Sequence, residues 1–234
     1  MQHFRRYGVL QKKECPETGA FRFPLYVTAM PPKVKFPKEE IVSAALNVAR
    51  RKGLYGVTTR DIAAKLSIST RPIFTFFRSM DEVRDAIRDA ARAEYSRYAM
   101  EGLSSAIPFY GFGMQYIRFA REEPELYRML FLSSDTADNA MTEMERSKEL
   151  ARESLMRIYH MDATTADRYF RDLWLVVHGI ATLIVTGACS YDDAEIGKIL
   201  TGFSVAICKA LKEIPGFAAN EYDRDKVFRQ ILGE

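Results

Sequence analysis

Residues 56–87 read GVTTRDIAAKLSISTRPIFTFFRSMDEVRDAI, and the caps and turns in this stretch decide what the rest of the chain can be. Thr58 stands three residues before Asp61, the spacing of a capping box in which a hydroxyl and a carboxylate satisfy orphan N–H groups at a helix start. The helix it opens runs to about Leu66 and buries Ile62, Ala63 and Leu66. Ser67-Ile68-Ser69 has room only for a tight turn. Ser69 is then expected to cap a third helix of about eight residues, whose first turn tolerates Pro72 because that N–H is unpaired anyway. Ile73 and Phe77 form its apolar side, and Ser79-Met80-Asp81-Glu82 repeats the capping-box spacing before a fourth helix reaching about Met100.

Upstream, Ile41, Ala45, Val48 and Ala49 recur at helical spacing between Pro37, which suits a first turn, and Gly53, which suits a C-terminal cap. Downstream, beyond Gly102 and Pro108, helical patterns fill about 105–121, 124–132, 137–159, 163–189 and 192–213. No alternating strand pattern occurs, so the expected fold is all-α: a helix-turn-helix head followed by a helical bundle. Residues 1–35 read as a basic, poorly ordered arm, 36–85 as the head and 86–234 as the body. The segment before Met30 reads equally as a native extension or as the product of an upstream start.

Two short helices joined by a three-residue turn can place the second in a DNA major groove while the first braces on the backbone. Helix N-termini with small polar residues attract phosphate, and long donors beside them reach base edges. Thr58, Thr59, Arg60, Ser69, Thr70 and Arg71 supply both.

The order of residues is more specific than the spacing. IVSAALNVARRKG (41–53), followed by residues 56–87, resembles the DNA-binding domain of TetR-family transcriptional regulators, and IRFAREEPELYRMLF (117–131) is similar to a stretch common in that family. The resemblance implies a phosphate contact at Thr59, a base within reach of Arg60, and Thr70, Arg71, Pro72 and Thr75 on the groove side of the third helix. Arg71 is the leading candidate for a bidentate contact to guanine. Two positions depart from the family. Phe74 replaces a tyrosine and Met80 a lysine, each removing a phosphate donor, and Arg78, Ser79 and the basic run 33–38 are the expected substitutes. Phe77 reads as core, whereas Phe76 reads as core or contact. Because of those departures, a TetR-like co-regulator that does not touch DNA directly stays open beside the regulator reading.

For the body, Trp174, Val177, Ala181 and Ile184 on one helix and Ile196, Ile199, Leu200, Phe203, Ile207 and Leu211 on the next suggest the seam of a homodimer, formed by helices 163–189 and 192–213. Tyr116, Met129, Phe170 and Trp174 could line a pocket for a small hydrophobic effector, with His178 as its polar anchor. The family implies a repressor, released by ligand, that binds a palindromic operator in double-stranded DNA.

Composition narrows the rest. At 234 residues with 47% hydrophobic and 28% charged, the chain suits one domain with an appendage or two modest domains, not a disordered or collagen-like polymer. Three cysteines without a CxxC fit a reducing cytoplasm, and no cofactor or metal is expected. The uncharged run 173–191 carries His178 and several Thr, Ser and Gly residues, and reads as a buried or seam helix rather than a membrane span. No HExxH, GxSxG or P-loop pattern occurs, so an enzyme is not expected. The formal charge of +3 divides into +3 over residues 1–29, +5 over 30–85 and −5 over 86–234. A basic head and an acidic body would orient the molecule on a polyanion.

Overall fold

The computed structural model describes residues 36–133 and 140–233. Among them every regular element is helical: α1 (Lys38–Lys52), α2 (Thr59–Leu66), α3 (Ile73–Phe76), α4 (Met80–Leu103), α5 (Pro108–Glu122), α6 (Pro124–Tyr127), α7 (Ala140–Tyr159), α8 (Ala163–Val185), α9 (Asp193–Glu213) and α10 (Arg224–Leu232). A π-helical turn over Arg128–Leu132 continues α6. Part of the 137–159 helix expectation falls on 137–139, outside the described residues, as do the expected arm and residues 33–35 of the basic run, whose Lys38 opens α1 with its ammonium over the Phe77 ring.

The head forms as its caps dictate. Thr58 Oγ1 accepts from the Asp61 N–H, and the Asp61 carboxylate accepts from the Thr58 N–H, completing the expected box. α2 stops in a Schellman-type turn: Ser67 adopts the left-handed region at φ 54°, while the N–H groups of Ser67 and Ile68 return to Ala64 and Ala63. Ile41, Ala45, Val48, Ala49, Ile62, Ile73 and Phe77 close one apolar core beneath these helices.

Four expectations need correction here. Ser69 does not cap the third helix, because the N–H it would need three residues on belongs to Pro72, which has none. The element instead starts as a 3₁₀-like turn, with Ile73 donating to Thr70 and Thr75 to Pro72, and only four residues are regular α-helix rather than about eight. At α4, Ser79 caps as expected, but Glu82 reaches back to the N–H of Arg78, not of Ser79. α4 also runs to Leu103, so the boundary expected at residue 85 falls inside a helix shared by head and body.

Two further ties join the halves. Gly102, in the last turn of α4, lies against the backbone of Gly111 and Phe112 on α5, too close for a side chain. Arg50 on α1 donates from Nε to both carboxylate oxygens of Glu123 at 2.9 and 2.8 Å, with Glu94 of α4 at 3.7 Å. The pair is partly buried, so it is screened less by salt than an exposed one.

In the body, the face expected at a dimer seam divides in two. Trp174, Val177 and Ala181, like Ile196, Leu200 and Leu211, are buried within the chain itself. The apolar residues left in solvent on α8 and α9 are Phe203, from the expected seam, and three that were not expected there, Leu175, Leu183 and Val205; all four are 45–60% exposed, beside Gly179 and Gly202, which have open space where a Cβ would stand. α8 ends at Val185, short of 189, and Arg128 donates to the Val185 carbonyl there. Beyond residue 213 the sequence reading assigned nothing. α10 forms there, capped by Asp223 and by Gly233 in the left-handed region, with Phe228, Ile231 and Leu232 exposed.

Among the described residues no helix is long and apolar enough to cross a membrane.

Candidate nucleic-acid interface

α2 and the turn into α3 carry exposed cations that lack partners. Arg60, Lys65 and Arg71 are exposed, and no carboxylate of the described residues lies within ion-pair reach of them. The neighbouring α4 is unlike this. There Arg84, Arg88 and Arg92 each pair with an aspartate three residues earlier. Lys52 is also taken, at 2.6 Å from Asp61, and this contact, with the Thr58 hydroxyl, holds the Asp61 carboxyl below its ordinary value. The side chain of Arg78 is 94% exposed and reaches Glu82 only at 3.9 Å.

The expected contact residues are placed in different ways. Thr59 begins α2 beside the exposed Arg60, in a first turn whose Asp61 N–H is capped by Thr58. Thr58 is exposed, but its hydroxyl is engaged twice with Asp61, which makes it a brace for α2. On α3, Phe74 and Thr75 are exposed; in the turn that opens it Arg71 is exposed and Thr70 and Pro72 are half-buried, with Ser69 exposed before them. Phe76 is half-buried against the core, so its ring serves packing first. Thr75 Oγ1 donates to the Arg71 carbonyl at 3.4 Å, withdrawing its hydroxyl from the outward face. These elements offer a polyanion three uncompensated cations and a helix edge narrow enough for a groove.

Residues 41–87 match the bacterial regulatory proteins of the tetR family, and residues 109–200 match the tetracyclin repressor-like C-terminal domain. The two matches together span more than half of the chain. The chain belongs to the TetR family. It is thus a TetR-family transcriptional regulator. A search of curated proteins returned no match. Two solved structures share the TetR fold with it. A member of the TetR family from Streptomyces coelicolor A3 is 23% identical, with a TM-score of 0.51 over 71% of this chain and 98% of that one. A tetR-family transcriptional regulator from Streptomyces coelicolor is 14% identical, with a TM-score of 0.61 over 83% and 95%.

The residues expected to line an effector pocket in this TetR-family body are packed as core. Tyr116, Phe170 and Trp174 are at most 1% exposed. Tyr116 meets Phe131, Tyr127 and Trp174 with ring centroids 5.0, 5.8 and 6.1 Å apart, and Phe170 meets Phe112 at 5.3 Å. Met129 instead lines a separate cavity of about 290 Å³ with Leu54, Tyr55 and Arg128. His178 stacks on Trp174 at 4.7 Å and 8°, and its Nδ1 lies 3.0 Å from the hydroxyls of both Tyr116 and Tyr127. The Trp174 indole nitrogen is buried without a hydrogen-bond partner. Tyr127 and its bond to Thr182 at 3.0 Å complete this cluster; the sequence reading named its aromatic residues and His178, but not these bonds, because nothing in the spacing joins residues 51–62 apart.

Burial pushes the His178 imidazole below its ordinary pKa. The folded chain therefore holds the ring neutral, and its contribution to stability is complete above the unfolded value of about 6.5 and declines as pH falls below it. The melting temperature should drop from pH 7 to pH 5 more steeply in the native protein than in His178→Gln. Parallel slopes would show that this ring does not couple protonation to folding.

Among the described residues no group of three His, Cys, Asp or Glu side chains gathers as metal ligands would.

Proposed function

We propose that this regulator binds a palindromic operator as a homodimer, with α3 of each protomer in the major groove, and that it represses until a small hydrophobic effector releases it. The observation that carries the DNA reading is the set of unpaired cations on α2 and the turn into α3, beside an α4 whose arginines are neutralised within their own helix. In that reading Arg71 and Arg60 reach base edges, Thr59 meets phosphate through the start of α2, and Thr70, Pro72 and Thr75 shape the groove contact. Ser69 and Arg78 flank it, with Arg78 taking over a phosphate role that Phe74 and Met80 have lost.

The dimer reading is supported by the exposed strip of α8 and α9. Leu175 and Leu183, with Phe203 and Val205, expose apolar area beside two glycines that would let a second pair of helices approach closely. A two-fold axis through that strip would relate two recognition helices and space half-sites by a helical turn or more. The effector reading rests on the aromatic interior around Tyr116, Phe170, Trp174 and His178; Met129 lies in the neighbouring cavity instead. An effector entering there has to part rings that touch in this structure, and the unpartnered Trp174 N–H offers it one donor.

Gel shift against DNA flanking the protein's own gene, at increasing salt, tests the reading. Binding should weaken steeply as condensed counterions are released. Arg71→Ala should relax base preference at one position per half-site, at about 1–3 kcal/mol. Thr59→Ala should weaken all sequences alike, by about 1 kcal/mol. Absent or salt-insensitive binding would favour the co-regulator reading, which the lost hydroxyl at Phe74 and lost ammonium at Met80 motivate.

A further inference from the structure

We propose that Phe74 is a specificity-determining residue whose phenyl ring takes the C5 methyl of one thymine in each half-site. The inference rests on the DNA-binding reading above and adds the chemistry of a base that reading does not assign.

Phe74 is 51% exposed, whereas its neighbours Ile73 and Phe77 are at most 3% exposed. The ring is therefore not part of the core of the head. It follows Arg71 by three residues through the 3₁₀-like turn that opens α3, where residues three apart lie one above the other, and both side chains are exposed. Thr75, the next outward residue, has turned its hydroxyl back to the Arg71 carbonyl. The outward surface of α3 thus offers one guanidinium and, next to it, hydrocarbon.

A phenyl ring has no donor for a phosphate oxygen and no acceptor for a base N–H. Of the four base edges displayed in the major groove, only thymine carries a methyl group, and apolar side chains read it by contact. An exposed phenyl seated beside a base-reading arginine is thereby matched to a thymine next to the guanine that Arg71 takes. Removing both groups from water is favourable by the ordinary hydrophobic effect.

The test uses the full chain. An operator is enriched from a random duplex library, and each thymine in turn is replaced by deoxyuridine, which loses only the C5 methyl. Affinity is then read by fluorescence anisotropy. At one thymine per half-site the replacement should weaken binding about fourfold, and about fifteenfold when made in both half-sites, the effect of one buried carbon each time. Phe74→Ala should bind more weakly and lose this sensitivity, while Phe74→Leu, which keeps a hydrocarbon contact, should retain most of it. The exposed position predicts unchanged melting for both variants, checked by circular dichroism. Insensitivity of the native protein at every thymine would overturn the proposal. So would sensitivity that survives in Phe74→Ala, since the methyl would then belong to another side chain. Failure to enrich any duplex would strike the DNA-binding reading itself, and this inference with it.

Discussion

Leu183→Glu combined with Phe203→Glu should convert the protein to a folded monomer and lower operator affinity by two orders of magnitude or more. Both side chains are about half exposed in the single chain, so glutamate at these positions meets water and leaves the protomer intact. In a dimer built on the exposed strip, four carboxylates would enter an apolar seam without partners, and each buried unpaired charge costs several kcal/mol. A monomer reaches one half-site only and loses the second set of contacts, which linkage otherwise makes almost intramolecular. Sedimentation velocity reads the oligomeric state, anisotropy reads binding, and circular dichroism reads the fold. A double variant that stays dimeric would place the interface elsewhere.

The other large effect belongs to a glycine. Gly102→Ala should destabilise the protein by about 3 kcal/mol, because its new methyl is forced into a filled space. A Cβ there would stand 2.5 Å from the Gly111 carbonyl oxygen and 2.6 Å from the Cα of Phe112, and backbone cannot swing aside as a side chain can. For a chain of this size that loss corresponds to a melting temperature lower by roughly 6–12 °C. Thermal denaturation followed at 222 nm measures it, and a variant melting within about 2 °C of the native protein would mean that the α4–α5 contact relaxes freely.

In sequence terms Gly102 looked like punctuation, a break between two helical patterns. Its actual place, inside the final turn of α4 and against α5, depends on a contact that local patterning cannot register. The same contrast runs through the molecule. The starts of α2 and α4 were legible because caps are written within three residues of one another, and Thr58 and Ser79 accept the bonds expected of such positions. α3 was misjudged at its start, where Pro72 removes the donor that a Ser69 cap would have needed. The seam was legible only in part, for another reason. An apolar stripe on α8 or α9 signals burial without saying whether the chain's own core or a second copy supplies it: of the residues singled out, Trp174, Val177, Ala181, Ile196, Leu200 and Leu211 face inward, Ile184, Ile199 and Ile207 are half-buried, and Phe203 is exposed. α10 escaped notice because its apolar residues, Val227, Phe228, Ile231 and Leu232, are few and follow a segment with no clear period.

At the interface, residue type was legible and hydrogen-bond allegiance was not. Arg60 and Arg71 stand free as a reader of the sequence would hope, but only coordinates reveal that Thr58 spends its hydroxyl on Asp61 and that Thr75 turns inward. The effector residues show the limit most plainly. Tyr116, Phe170, Trp174 and His178 do converge, into a packed cluster rather than an open chamber.

The ion pair between Arg50 and Glu123 bears on how such a molecule can change shape. A head carried on α4 alone would be a swivel, free to nod about one shaft. A second strut from α1 to the start of α6, with Glu94 of α4 beside it, braces that shaft into a triangle. Angles in a triangle change only when a side changes length, so any reorientation of the head against the body would have to displace α4 and α6 together or let go of this strut.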